Sequence, residues 1–227
     1  MRSAPTLGLF VPCYVDELWP QAAKAAVQLI EAFGFRVQIA DPVCCGQVLS
    51  NAGAEEDAQV VQGIWKDGHA DFEEVVILSA SCCSYLYKSG HAAPVLREFC
   101  DWVSEHAPAE FPNPVSRKVA YHKSCSAQRG THTVRHARDV LRRVRGLELV
   151  EPVGQIDCCG FGGSFASNFP ELSVRMGQDH MNCLLEPEPG VQGLVSADCS
   201  CMIHLKGISD PTLRFWHVAE LLWGAMK

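Results

Sequence analysis

The chain has 227 residues, 48% of them hydrophobic and 20% charged, with a formal net charge of −7. That length can bury a substantial core in one or two domains, and the apolar content excludes wholesale disorder. The acidic balance offers no footing for nucleic acid, and no apolar run approaches the roughly 20 residues that span a bilayer.

In chain order, Leu7–Val11 is too short for the apolar core of a secretion signal, and no cleavage pattern follows it, so the chain is expected to be soluble and cytoplasmic. Thr6–Val11 reads as a strand ending at Pro12-Cys13. Leu18–Phe33 has helical apolar spacing with Gly34 as its stop. Phe35–Ala40 alternates as a strand, and Asp41-Pro42 turns into Cys44-Cys45-Gly46. Glu55–Trp65 reads as a helix, Glu74–Ala80 as a buried strand that delivers Cys82 and Cys83, and Pro94–Val103 as a helix. Residues 107–116, with three prolines, read as a linker.

Arg117–His122 then reads as a strand ending near Cys125, Thr131–Val144 as a helix, and Leu147–Val150 as a strand leading to Cys158-Cys159-Gly160. Pro170–Leu185 is a helix. Val191–Ala197 is a strand that delivers Cys199 and Cys201, Leu213–Val218 a further strand, and Ala219–Met226 a closing helix.

The second half therefore repeats the first. Cys13 and Cys125 lie 112 residues apart, Cys44 and Cys158 114, and Cys82 and Cys201 119, each beyond an expected strand. An internal duplication accounts for this, with residues 1–106 as one repeat and 117–227 as the other. Strand–helix alternation implies an α/β fold of two pseudo-symmetric, Rossmann-like repeats with parallel sheets. The cysteines fall at the carboxyl ends of strands, where open α/β sheets place ligands.

Twelve cysteines in a reducing compartment favour metal or redox chemistry over a disulfide framework. Neighbouring side chains of an extended segment point to opposite faces, so adjacent thiols serve two metal atoms more readily than one. A cluster of several irons offers those atoms and takes thiolates. The candidate ligands are Cys13, Cys44, Cys45 and Cys82 in one repeat and Cys125, Cys158, Cys159 and Cys201 in the other, giving two cysteine-lined pockets. Gly46, Gly160, Gly162 and Gly163 would let the backbone approach such a group with positive φ. Thiol–disulfide chemistry and a vicinal disulfide remain alternatives. Zinc fits poorly, because the paired Cys-x2–4-Cys knuckles of structural zinc sites are missing.

Other features have plainer readings. Cys100 and Cys183 lie in expected helices and read as core residues. His122 and His204 read as structural histidines. The cluster Arg135, Arg138, Arg142, Arg143, Arg145 reads as a solvated helix face. The order Gly160-Phe161-Gly162-Gly163 misses the dinucleotide fingerprint, and no Ser-His-Asp signature is present.

The order Cys … Cys-Cys-Gly … Cys, twice in one chain, resembles the cysteine-rich CCG domain family. That family includes the cysteine-rich subunit of heterodisulfide reductase, the iron–sulfur subunit of glycolate oxidase and the lactate-utilisation iron–sulfur proteins. Val11–Asp16, Cys44–Gln47, Ser79–Cys82, His122–Cys125, Cys158–Phe165 and His217–Leu222 resemble the lactate-utilisation subgroup most closely. The resemblance implies an electron-transfer subunit of a lactate (2-hydroxy acid) oxidising complex, of L-lactate dehydrogenase type. It implies up to one [4Fe-4S] cluster per repeat, cubane or non-cubane, and iron–sulfur and flavin proteins as partners. Electrons would pass towards a quinone or other acceptor. The alternative it implies is a heterodisulfide reductase subunit acting at a non-cubane cluster. The heterodisulfide pattern ends in Cys-x-x-Cys, and this chain has Ser79 and Asp198 in the first slot of that pair. Cys83 and Cys199 stand beside the expected ligands, and Ser126 stands where a histidine is common in the lactate subgroup.

Overall fold

The computed structural model describes residues 5–39, 42–90, 94–152, 158–186 and 188–227. The first half runs β1 (Thr6–Phe10), α1 (Cys13–Leu18), α2 (Pro20–Ala32), β2 (Arg36–Ile39), α3 (Gln47–Asn51), α4 (Glu55–Gly68), β3 (Glu74–Ile77), α5 (Ala80–Lys88), β4 (Val95–Glu98) and α6 (Phe99–His106). The second runs β5 (Arg117–Tyr121), α7 (Cys125–Arg129), α8 (Val134–Arg142), β6 (Leu147–Val150), α9 (Ser164–Asn168), α10 (Pro170–Leu185), β7 (Gly193–Ser196), α11 (Cys199–Gly207), β8 (Arg214–His217) and α12 (Val218–Met226).

Each half builds one parallel sheet of four strands, ordered β2-β1-β3-β4 and β6-β5-β7-β8. The α/β fold and the doubling expected from the cysteine spacing are thus both present. The third strands are apolar because helices cover both faces: Gly193–Ser196 is buried at every position, and Val75–Ile77 likewise. The edge strand β2 is exposed or half-exposed throughout.

One expectation fails at residues 94–103. The segment is not a single helix: Val95–Glu98 pairs with β3, and the helix starts only at Phe99. Leu96 and Glu98 face inward while Val95 and Arg97 face out, a strand period within a short segment. The Glu98 carboxylate caps the helix that follows, accepting from Cys100 N at 3.0 Å and Asp101 N at 3.3 Å. The expected helix 18–33 is present as α2, which starts with Pro20 at its first position, and a separate short helix, α1, precedes it up to Leu18. Ala40 and Asp41 lie outside the described residues.

The halves interlock. Helix α2 packs on α12, α6 on α8, α1 on α11, α5 on α7 and α3 on α9, so every one of these pairs joins one repeat to the other. One apolar cluster runs through both, from Leu29 and Ile30 to Leu221 and Leu222, and from Trp102 to Leu141, beside a smaller one around Phe10 and Trp65 in the first repeat. Residues 107–116 carry no helix or strand, yet Phe111 is buried in the larger cluster. The expected solvated arginine face is partly spent on this segment. Arg143 donates to Ser104 O at 3.0 Å and Ala107 O at 3.1 Å, and Arg145 to Pro112 O at 2.8 Å.

Candidate functional site

The short helices that follow the strands position the cysteines. Cys13 opens α1 directly after β1, and Cys125 opens α7 after β5, where Ser124 Oγ accepts from Ala127 N at 3.1 Å. Cys82 and Cys201 sit in the first turn of α5 and α11. The Cys-Cys-Gly segments lie in loops after β2 and β6. Gly46 has φ 90° and Gly160 φ 86°. A Cβ at Gly160 would come within 2.6 Å of Ser173 O, and one at Gly46 within 2.9 Å of Ala58 O, so both turns require glycine. The same turns direct an amide at the preceding sulfur: Gly46 N lies 3.3 Å from Cys44 Sγ, and Gly160 N 3.4 Å from Cys158 Sγ.

The sequence suggests two cysteine-lined pockets; among the described residues the two sets share one. All eight candidate cysteines line a single cavity of about 310 Å3, together with Tyr14, Ser81, Asp198, Phe161, Gly162 and Gly163. Along its wall the thiols touch in two series, Cys13–Cys44–Cys45–Cys82 and Cys125–Cys158–Cys159–Cys201. In both series the last two thiols are buried and the first two reach solvent to some degree. The vicinal thiols converge because the glycine turn replaces extended backbone. All twelve cysteines are free. Among the described residues, no three His, Cys, Asp or Glu side chains gather as they would around a single metal ion. The sulfurs run along a wall instead.

The thiols polarise one another. Hydrogen bonds from Cys13, then Cys45, with the Gly46 amide, favour the Cys44 thiolate and lower its pKa, and the Cys13 contact with Cys44 raises that of Cys13. A carboxylate stands among them. Asp198 is 1% exposed, and burial raises its pKa. It accepts from Ser81 N at 3.0 Å, Ser81 Oγ at 3.2 Å and Ser200 Oγ at 2.7 Å. The Tyr14 hydroxyl lies 3.4 Å from the same carboxylate and 2.5 Å from Ser79 Oγ. Sequence reasoning marks Ser79 and Asp198 only as departures from a cysteine pattern; their shared repeat position is the available signal.

The remaining cysteines stay off the cavity. Cys83, Cys100 and Cys199 are wholly buried in apolar clusters, and burial raises each thiol's pKa. Cys183 is not a full core residue but half-buried on α10. His122 Nδ1 pairs with His180 Nε2 at 2.7 Å, and burial lowers both pKa values. His204 lies 3.2 Å from Ser173 O, while Ser173 Oγ donates to Gly160 O at 2.8 Å, so this pair braces the second Cys-Cys-Gly turn.

The sequence pattern described as a cysteine-rich domain, CCG, matches twice, at residues 7–86 and 119–206. The chain is 28% identical over 235 residues to lactate utilization protein A of Bacillus subtilis (strain 168), covering 95% of this chain and 98% of that one. It is 30% identical over 248 residues to the protein of the same name from an Exiguobacterium species, covering 98% and 99%.

Proposed function

The chain belongs to the cysteine-rich CCG domain family, and on that premise we propose that it is an iron–sulfur electron-transfer protein of a lactate, or related 2-hydroxy acid, oxidising complex. The observation that carries this is the cavity wall: eight thiols in two equivalent series, facing one space. Their chemistry fits a cluster. Thiolates are the ligands iron–sulfur clusters take, and a cluster spreads its ligand sites over several irons, as the strung-out sulfurs of each series require. When bound, such a cluster supplies storage of single electrons.

Cys13, Cys44, Cys45 and Cys82 would hold one group, and Cys125, Cys158, Cys159 and Cys201 the other. The Gly46 and Gly160 amides donate to ligand sulfurs, and the Phe161–Gly163 turn closes the second site. Amide donors to sulfur and exclusion of water set the potential at which an electron is accepted. The shared cavity also supports direct passage between the two repeats. Among the described residues no helix is long and apolar enough to cross a membrane. We place the protein in the cytoplasm, with iron–sulfur and flavin subunits as donors and a quinone or other carrier as acceptor.

Anaerobic purification should give brown protein with iron and acid-labile sulfide in similar amounts. Cys159→Ser should lose the iron of the second set while the fold persists, and Cys183→Ser should keep all of it. Colourless, zinc-loaded protein, or equal loss in both variants, would overturn the reading. The single cavity also accommodates a second reading, reduction of a heterodisulfide lodged between the two thiol series. Turnover of a heterodisulfide by the isolated chain with a reduced dye would favour it.

A further inference from the structure

We propose that Asp198, supplied by the second repeat, is a positioning residue for the cysteines of the first. Its repeat equivalent, Ser79, serves its own helix, the side chain accepting from Cys82 N at 3.3 Å in the first turn of α5. Asp198 stands at the same place before α11, but its carboxylate crosses the repeat boundary and accepts from Ser81 N of α5 at 3.0 Å. The first turn of α5 is therefore capped from both repeats, and a carboxylate there also favours the positive end of the helix.

The donors around Asp198 say what the residue aligns. Tyr14 follows Cys13, Ser81 precedes Cys82, and Ser200 precedes Cys201. One side chain is thus referenced to two thiols of the first series and one of the second. It lies 1% exposed, on the wall of the cavity both series share. The carboxylate is costly to remove chiefly because Ser81 N loses its acceptor, whereas the Tyr14 and Ser81 hydroxyls keep Ser79 Oγ at 2.5 and 2.9 Å. Serine, the first repeat's own solution, is too short to reach across.

The inference rests on the proposed function only in taking these eight cysteines as the working thiols, so its test begins without metal. In the reduced, metal-free chain, alkylation by iodoacetamide is followed cysteine by cysteine through peptide mass spectrometry. Asp198→Ser should speed alkylation of Cys82 by about tenfold, the loss expected for a hydrogen bond to a charged group. Cys83 and Cys100 should stay protected. Acceleration confined to Cys199 and Cys201, with Cys82 unchanged, would overturn the proposal. Should Asp198→Ser unfold, exposing Cys83 and Cys100 too, Asp198→Asn decides. It keeps the size and one acceptor, and should accelerate Cys82 to a smaller degree; no acceleration refutes the role.

A second arm uses the Cys159→Ser background, in which only the first series is intact. Iron taken up on reconstitution with iron and sulfide should fall at least about twofold when Asp198→Ser is added, and recover in part with Asp198→Asn. Unchanged uptake counts against the proposal. If the Cys159→Ser parent binds no iron at all, the iron–sulfur reading fails there, and the alkylation rates still decide the part played by Asp198.

Discussion

At the scale of single residues, backbone conformation and burial make the sharpest demands. Gly160 combines φ 86° with a Cβ direction blocked at 2.6 Å by Ser173 O and at 2.9 Å by Met176 Cβ. Gly160→Ala should therefore cost about 2 kcal/mol or more, from left-handed strain plus the collision. A lowered thermal midpoint and loss of iron from the second series would be the readouts. Glu98 poses the opposite problem, a charge without water. Burial pushes its carboxyl pKa up to about 8, so between the unfolded value near 4.5 and about 8 the folded state binds the extra proton. Stability contributed by this group must fall as pH rises through that window. Glu98→Gln keeps an acceptor for Cys100 N and Asp101 N and removes the titration. Urea midpoints at pH 5 and pH 9 should then differ less in the variant than in the parent, and an identical difference would contradict the assignment.

At the scale of elements, the site depends on helix pairs that cross between repeats. Helix α5 carries Cys82 and packs on α7, which carries Cys125. The close approach is made at Gly130, where a Cβ would collide with both Oγ and Cβ of Ser84. Gly130→Ala should wedge the pair apart at a cost of about 1–3 kcal/mol, the usual range for overpacking. Adding Ser84→Gly should restore part of that loss, a non-additivity that a double-mutant cycle in urea would measure. The elements also mark where pattern reading succeeds. Leu147–Val150 and Pro170–Leu185 are found with the boundaries their periodicity suggests. Val95–Glu98 reads as helix in the sequence because four residues carry too little period to separate a strand from the helix that follows. The short helices α1, α3, α5, α7, α9 and α11 also escape the pattern. Of these, α3, α7 and α9 have five residues each; all three pack across the repeats, and only α7 has a side-chain cap, from Ser124.

At the scale of the molecule, the two repeats share one core. Trp102 of the first lies in the same apolar cluster as Leu141 and Leu222 of the second. A fragment of residues 1–116 would expose the faces of α2 and α6 that α12 and α8 cover, so it should not fold alone. Its amides should exchange rapidly with deuterium, and mixing it with 117–227 should restore protection. Protection in the isolated fragment would mean that the repeats are independent domains. The sequence by itself determined the α/β class, the doubling, and which eight thiols are equivalent, because hydrophobic period and cysteine spacing are local quantities carried by each repeat. Tertiary structure alone decided that the two thiol series open onto one cavity and that a carboxylate of one repeat caps a helix of the other. Those relations join residues more than a hundred positions apart, and no pattern within either repeat records how the two are set against each other.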